Sequence, residues 1–186
     1  MATNNATNNI IYSGNATLLE SQSASSDATL DFITGFSSEF SSYVFEIEGI
    51  NVTSPEEEAL FYRVSTDGGA SWEIGVDYVN VLLGYDNSGT ASNIGVTAPA
   101  GFLTSTQVSY LRNGVYGTLK LYGLSQSSAP KRGFVQTTWG DATGNSVFCT
   151  GSTWYQVSTG FEVNGVQFFF NTGNILSGEI RMFGIS

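Results

Sequence analysis

From Asp31 to its end the chain is made of short runs of aromatic and β-branched residues, each closed by Gly, Asn, Asp or Ser. Runs of that kind read as strands, and no capped window sustains a 3.6-residue period, so helix has almost no place to form. The clearest predicted strands cover 43–50, 60–65, 77–85, 115–122, 133–139, 153–159, 166–170 and 179–183, with weaker ones at 28–32 and 106–111. Alternation is plain in the first of these: Tyr43, Phe45 and Ile47 share one face, and Val44, Glu46 and Glu48 the other. About eight to ten short strands with frequent turn signals indicate an all-β fold, an antiparallel β-sandwich or jelly roll. Phe168-Phe169-Phe170 breaks the alternation and predicts a strand covered on both faces, by a second layer or by a partner subunit.

The first 30 residues differ. Residues 2–9 give Ala-Thr-Asn-Asn twice, and the stretch up to Asp27 is Ser, Asn, Thr and Ala with few large apolar groups. Such a segment buries too little surface to offset the entropy of ordering it alone. The expected division is an extended N-terminal attachment arm over 1–30 and a β-sandwich domain over 31–186. The apolar island Ile10-Ile11-Tyr12 suits an arm docking on a neighbour, so Ile10, Ile11, Tyr12, Phe168, Phe169 and Phe170 are the candidate assembly residues.

Composition then removes familiar chemistry. The 186 residues include no His, 6 basic and 16 acidic residues, a net charge of −10 and 12% charged residues overall. Soluble proteins usually carry about 25%, so Ser, Thr, Asn and Gly must cover much of this surface. Without His there is no imidazole base, no Ser-His or Cys-His pair and no His-containing zinc site. Cys149 follows Val147-Phe148, has no basic neighbour and reads as a small buried hydrophobe. The only adjacent basic pair is Lys131-Arg132, which argues against nucleic acid as a partner. The amino terminus lacks the pattern of a secretory signal and no run reaches the length of a membrane span, so the expectation is a cytoplasmic product without membrane insertion.

The sharpest local motif is Ser65-Thr66-Asp67-Gly68-Gly69-Ala70-Ser71-Trp72, which resembles an Asp-box with Ser71 where Thr is usual. Asp67 can accept backbone N–H groups across the turn, the glycines allow positive φ and Trp72 can pack under the loop, so Ser65, Asp67, Gly69, Ser71 and Trp72 read as a structural hairpin. Glycoside hydrolysis needs two carboxylates at a fixed separation, and nothing in the spacing of Glu73, Asp77, Asp86, Asp141 and Glu162 singles out a pair. Asp86-Asn87-Ser88-Gly89 and Asp141-Ala142-Thr143-Gly144-Asn145 have calcium-compatible oxygens but are equally good turns. The reading is therefore of a non-enzyme with no catalytic residue, cofactor or metal. Sugar contact requires exposed aromatic planes beside amides; Trp139, Trp154, Tyr155 and Gln156 form the candidate host-contact patch, although most Trp side chains in a chain of this size belong to a core or an interface.

The carboxyl-terminal stretch from Val163, with Phe168-Phe169-Phe170 leading into Asn171-Thr172-Gly173-Asn174-Ile175-Leu176-Ser177-Gly178 and a last strand closing on Phe183-Gly184-Ile185, resembles the ending of small tail-fibre or other virion proteins of tailed bacteriophages. Ala2 to Ala6, Tyr43 to Ile47 and Arg63 to Trp72 are similar to segments of the same group, while 86–160 matches nothing in it. The resemblance implies a β-sandwich particle component of tail-fibre or receptor-binding type, or else a capsid decoration (cement) protein, with a carbohydrate-active depolymerase as the remaining reading. It further implies a homotrimer, contacts with tail or major capsid protein, a host surface glycan as a further partner, and a virion location after release by lysis.

Overall fold

The computed structural model describes residues 15–53, 57–128, 130–155 and 160–186. The described residues contain no helix and form β1 (Ala16–Ser23), β2 (Thr29–Phe32), β3 (Ser42–Val52), β4 (Glu57–Glu58), β5 (Leu60–Ser65), β6 (Tyr78–Asp86), β7 (Ile94–Ala98), β8 (Gly101–Phe102), β9 (Val108–Ser109), β10 (Val115–Tyr122), β11 (Lys131–Gly140), β12 (Ser146–Tyr155), β13 (Gly165–Phe170) and β14 (Ile175–Ile185). Eight strands in the order β1-β14-β3-β10-β11-β12-β6-β7 make a large sheet, β2-β13-β5-β8 make a small one, and β4-β9 form a short ribbon. Every pairing is antiparallel. The large and small sheets face each other, so the chain is the expected all-β sandwich.

Alternation decides what fills the space between the sheets. Phe45 on β3 meets Phe32 on β2 and Phe168 on β13, with ring centroids 5.4 and 5.2 Å away, and Phe32 and Phe168 are 5.8 Å apart. Edge-on and tilted ring geometry of this kind adds to the gain from area burial. Farther along, Tyr62 of β5 stands edge-on to Tyr78 of β6 at 5.9 Å, and Tyr78 meets Tyr155 at 5.1 Å. Cys149 on β12 is fully buried, and that burial pushes its thiol up to about 11. Glycine is required where β3 and β14 shift register: Gly178 has φ 112°, and a Cβ there would lie 2.5 Å from the Gly49 carbonyl oxygen.

The structure corrects several expectations. The boundary expected at residue 30 falls inside the sheets, because β1 pairs with β14 from Ala16↔Ile185 to Ser23↔Glu179 and β2 pairs with β13. This edge strand is held chiefly by backbone ladder bonds, with Leu19 packed against the core. Ile10, Ile11 and Tyr12 lie outside the described residues. Of the strand expected at 153–159, residues 153–155 are the end of β12, which begins at Ser146 because the Asp141–Asn145 turn is tight enough to start pairing at Gly140↔Ser146, and 156–159 lie outside the described residues. Phe168 and Phe170 are 0% and 4% exposed within the single chain, so two of the candidate assembly rings are core. Of the three, Phe169 alone points outward and is half-buried.

Candidate functional site

The Asp-box segment folds as its chemistry requires. Ser65 Oγ donates to Asp67 Oδ1 at 2.7 Å and accepts the Gly69 N–H at 2.9 Å, while the Ser71 N–H and hydroxyl reach the two Asp67 oxygens at 2.9 and 2.6 Å. Gly68 and Gly69 have φ of 72° and 87°, and a Cβ on Gly69 would sit 2.7 Å from Ile33 Cγ2. Trp72 is half-buried and packs against Gly165. Hydrogen bonds, first from the Ser71 side chain, then from its backbone and from Ser65, hold the Asp67 carboxyl down at about 2. A depressed carboxylate contributes stability that is complete above its ordinary value of 3.8 and is lost as pH falls towards 2. The difference in Tm between the native chain and Asp67→Asn is therefore expected to be present at pH 7 and to narrow at about pH 2; an equal difference at both pH values would remove the ionised carboxylate from the hairpin's stability.

The acidic loops are likewise occupied by their own turns. Asp86 Oδ1 accepts Ser88 N–H, Ser88 Oγ–H and Thr90 N–H at 2.9, 2.7 and 2.8 Å, and the Ser88 hydroxyl is the leading cause of a lowered Asp86 pKa. Asp141 Oδ1 accepts Thr143 N–H and Asn145 N–H at 3.0 and 2.8 Å. Asn145 Nδ2 then donates to Asp86 Oδ2 at 3.2 Å and ties the two turns together.

The expected host-contact patch is divided by the pleat. Trp139 and Tyr155 point inward, at 3% and 6% exposed, and Trp139 Nε1 donates to the Gln107 carbonyl at 3.3 Å. Trp154 points outward beneath the Arg132 guanidinium, 5.8 Å from its ring centroid. Gln156 lies outside the described residues. Odd and even residues of one strand serve opposite faces, so neighbours in sequence such as Trp154 and Tyr155 cannot share a surface.

The pleat assembles a different surface, one that no single motif announces. On the outer face of the large sheet stand Val81, Leu83 and Tyr85 of β6, Phe148 and Trp154 of β12, Phe134 of β11, and Tyr116 and Tyr122 of β10. Cross-strand pairs bring some of them side by side, Phe148 opposite Tyr85, Trp154 opposite Val79 and Arg132, and Phe134 opposite Lys120, with Ser152, Thr150, Gln136 and Thr138 interspersed on the same face. Val81, Leu83, Tyr85, Phe134 and Phe148 are each about half exposed, at 48%, 51%, 53%, 48% and 46%. The outward positions of these four strands carry Lys120 and Arg132 but no carboxylate, in a chain of net charge −10. Half-exposed aromatic and aliphatic groups set among uncharged polar residues, with no carboxylate between them, suit an association or ligand surface. The sequence signal for it was apolar residues at both alternating sets of 78–85, with nothing local to say which set is covered.

No protein-family model and no curated protein matches the chain. Among solved structures it is similar to the crystal structure of A. japonicus CB05, at 13% identity and a TM-score of 0.34, over 94% of this chain and 26% of that one. It is also similar to a wild-type fructosyltransferase from A. japonicus, at 14% identity and a TM-score of 0.33, with 94% and 26% covered. The chain spans about a quarter of the length of both proteins, and likeness at this level carries no argument about activity.

Proposed function

We propose that this protein is a non-enzymatic structural subunit on the surface of a tailed-phage particle, of tail-fibre or receptor-binding type. The observation that carries the reading is the outer face of the large sheet, which exposes Phe134, Phe148, Leu83 and Tyr85 on one side without a carboxylate among the outward positions of their strands. Leaving such a face in water is unfavourable at roughly 25 cal/mol per Å² of apolar surface, so the face fits a subunit that works in an assembly. The amino-terminal opening, the Arg63 to Trp72 segment and the carboxyl-terminal stretch supply the phage resemblance. The partners in this reading are two further copies in a homotrimer and a neighbouring tail protein. A capsid decoration role is the second reading, favoured by the single sandwich body without any fibrous shaft among the described residues.

Density-purified particles test both. The protein is expected as a low-copy band, and the pair Phe134→Asp and Phe148→Asp is expected to leave the circular dichroism of the isolated protein unchanged while removing it from particles. Hundreds of copies per particle would assign it to decoration. Its absence from particles would overturn the virion reading, and undiminished incorporation of the double variant would remove the role of this face.

A further inference from the structure

The opposite side of the molecule carries a groove whose chemistry is unrelated to the association face. It lies on the outer face of the small sheet, has a volume of about 430 Å³ and is lined by Phe61, Arg63, Ile74, Phe102, Phe169 and Asn171 among others. That volume lies within the usual range of small-ligand sites, about 300–1,000 Å³.

Register places two rows side by side on this face. One row is aromatic: Phe169 is opposite Phe61, and Phe61 is opposite Phe102. Phe61 and Phe169 lie near parallel, at 27° with centroids 5.7 Å apart, and Phe102 stands edge-on to Phe61 at 4.7 Å. The pair makes a platform and Phe102 an upright wall. The second row is polar: Asp31, Gln167 and Arg63 are aligned across β2, β13 and β5. Gln167 accepts the Arg63 Nε–H at 2.5 Å and donates to Asp31 Oδ1 at 2.7 Å.

Arg63 is thereby fixed and only partly used. Its guanidinium lies 4.7 Å above the Phe169 ring and its Nε is satisfied by Gln167, while the two Nη groups have no hydrogen-bond or ion-pair partner among the described residues. Two parallel N–H donors of a preorganised guanidinium match a carboxylate. An apolar platform beside them accepts the C–H face of a sugar ring, and the exposed Asn171 amide stands at the rim for hydroxyl groups.

We propose that this groove binds a carboxylated pyranose, that is, a uronate unit of an acidic polysaccharide, with its carboxylate on Arg63 and its ring on Phe61 and Phe169. This deepens the receptor-binding reading above and rests on it for biological use; the binding itself is a property of the isolated protein. The net charge of −10 opposes long polyanions, so the fitting probe is short.

Titration calorimetry with tri-galacturonate and with its methyl ester tests the site. Saturable binding of the acid is expected, with the ester about tenfold weaker or more. Arg63→Gln is expected to weaken the acid by a similar factor, and Phe169→Ala to weaken both sugars. Because Arg63 also braces Gln167, Ile74→Glu is the companion variant: Ile74 is 66% exposed, so the change leaves the fold alone and sets a repelling carboxylate at the rim. No saturable binding at millimolar sugar, equal binding of acid and ester, affinity unchanged in both Arg63→Gln and Ile74→Glu, or tighter binding of N-acetyl-phenylalanine than of the trisaccharide would each overturn the proposal. Binding by a protein absent from particles would defeat the virion reading and leave this site standing; a particle protein without binding would do the reverse.

Discussion

Replacing Phe168 by Ala is expected to destabilise the protein by about 3–5 kcal/mol, the usual range for removing a buried aromatic ring. Phe168 is fully buried and touches Phe32 of its own sheet and Phe45 of the facing sheet, with centroids 5.8 and 5.2 Å away. Its removal therefore opens a cavity between the layers and breaks ring contacts from both. Phe45 stands on β3, which is paired on both sides by β14 and β10, so the large sheet cannot readily collapse into the void; Phe32 stands on the edge strand β2. For a domain of this size the loss corresponds to a fall in Tm of roughly 6–20 °C. Phe169→Ala, one residue along and half-buried on the outer face, is expected to cost clearly less. Equilibrium denaturation of the two variants checks the contrast, and equal losses would mean that the pleat of β13 is not what separates core ring from surface ring.

A comparably large effect is expected at a polar position. Asn80 on β6 is fully buried; its side chain accepts the Phe102 N–H at 2.9 Å and the Thr153 hydroxyl at 2.8 Å, and donates to the Tyr78 and Ala100 carbonyls at 3.2 and 3.1 Å. Thr153 spends its only proton on Asn80, so the 3.1 Å contact between Tyr62 and Thr153 has the tyrosine hydroxyl as donor. This chain of bonds runs from β5 and β8 of the small sheet to β6 and β12 of the large one. Asn80→Leu keeps the volume but strands the Phe102 N–H and the Ala100 carbonyl. Each orphaned buried group costs about 1–3 kcal/mol, so a total of about 3 kcal/mol or more is expected. Tyr62→Phe removes only the end of the chain and is expected to cost about 0.5–1.5 kcal/mol. Urea unfolding of both variants provides the measurement; an Asn80→Leu variant as stable as the native protein would show that the polar chain contributes nothing to joining the layers.

These residues mark how far the sequence could be read. Alternation put Phe45 on one face with Tyr43 and Ile47, and the run of rings showed that Phe168 needs cover; that the cover is Phe45 of the same chain, and not a partner subunit, was not legible, since the two lie far apart in sequence. The Asp67 hairpin's internal bonds were legible, because Ser65, Asp67, Gly69 and Ser71 are within a few residues of one another, while its contacts with Asn164, Gly165 and Ile33 were not. Asn80 gave no signal at all: its four partners come from three separate segments. The patch expected at Trp139, Trp154 and Tyr155 failed because closeness in sequence was read as closeness on a surface, and the pleat sends Trp154 outward and Tyr155 inward. The edge strand β1 was read as an arm for a related reason. Most of its residues are polar, and only β14, more than 150 residues away, supplies the ladder that orders it.

By itself the sequence determined the quantities that local chemistry controls: an all-β chain, its turns, the positions of most strands, and a surface short of charge and lacking imidazole. Backbone sterics, side-chain alternation and turn hydrogen bonds act over a few residues, so they are written in short segments. Which strand lies beside which, and so which of two apolar faces is covered, was decided only when distant segments paired. That pairing sets Phe134, Phe148 and Leu83 on an open face of the large sheet, and Phe61, Phe169 and Arg63 around a groove on the small one. Long-range register is a property of the whole hydrogen-bonded sheet and of no single strand.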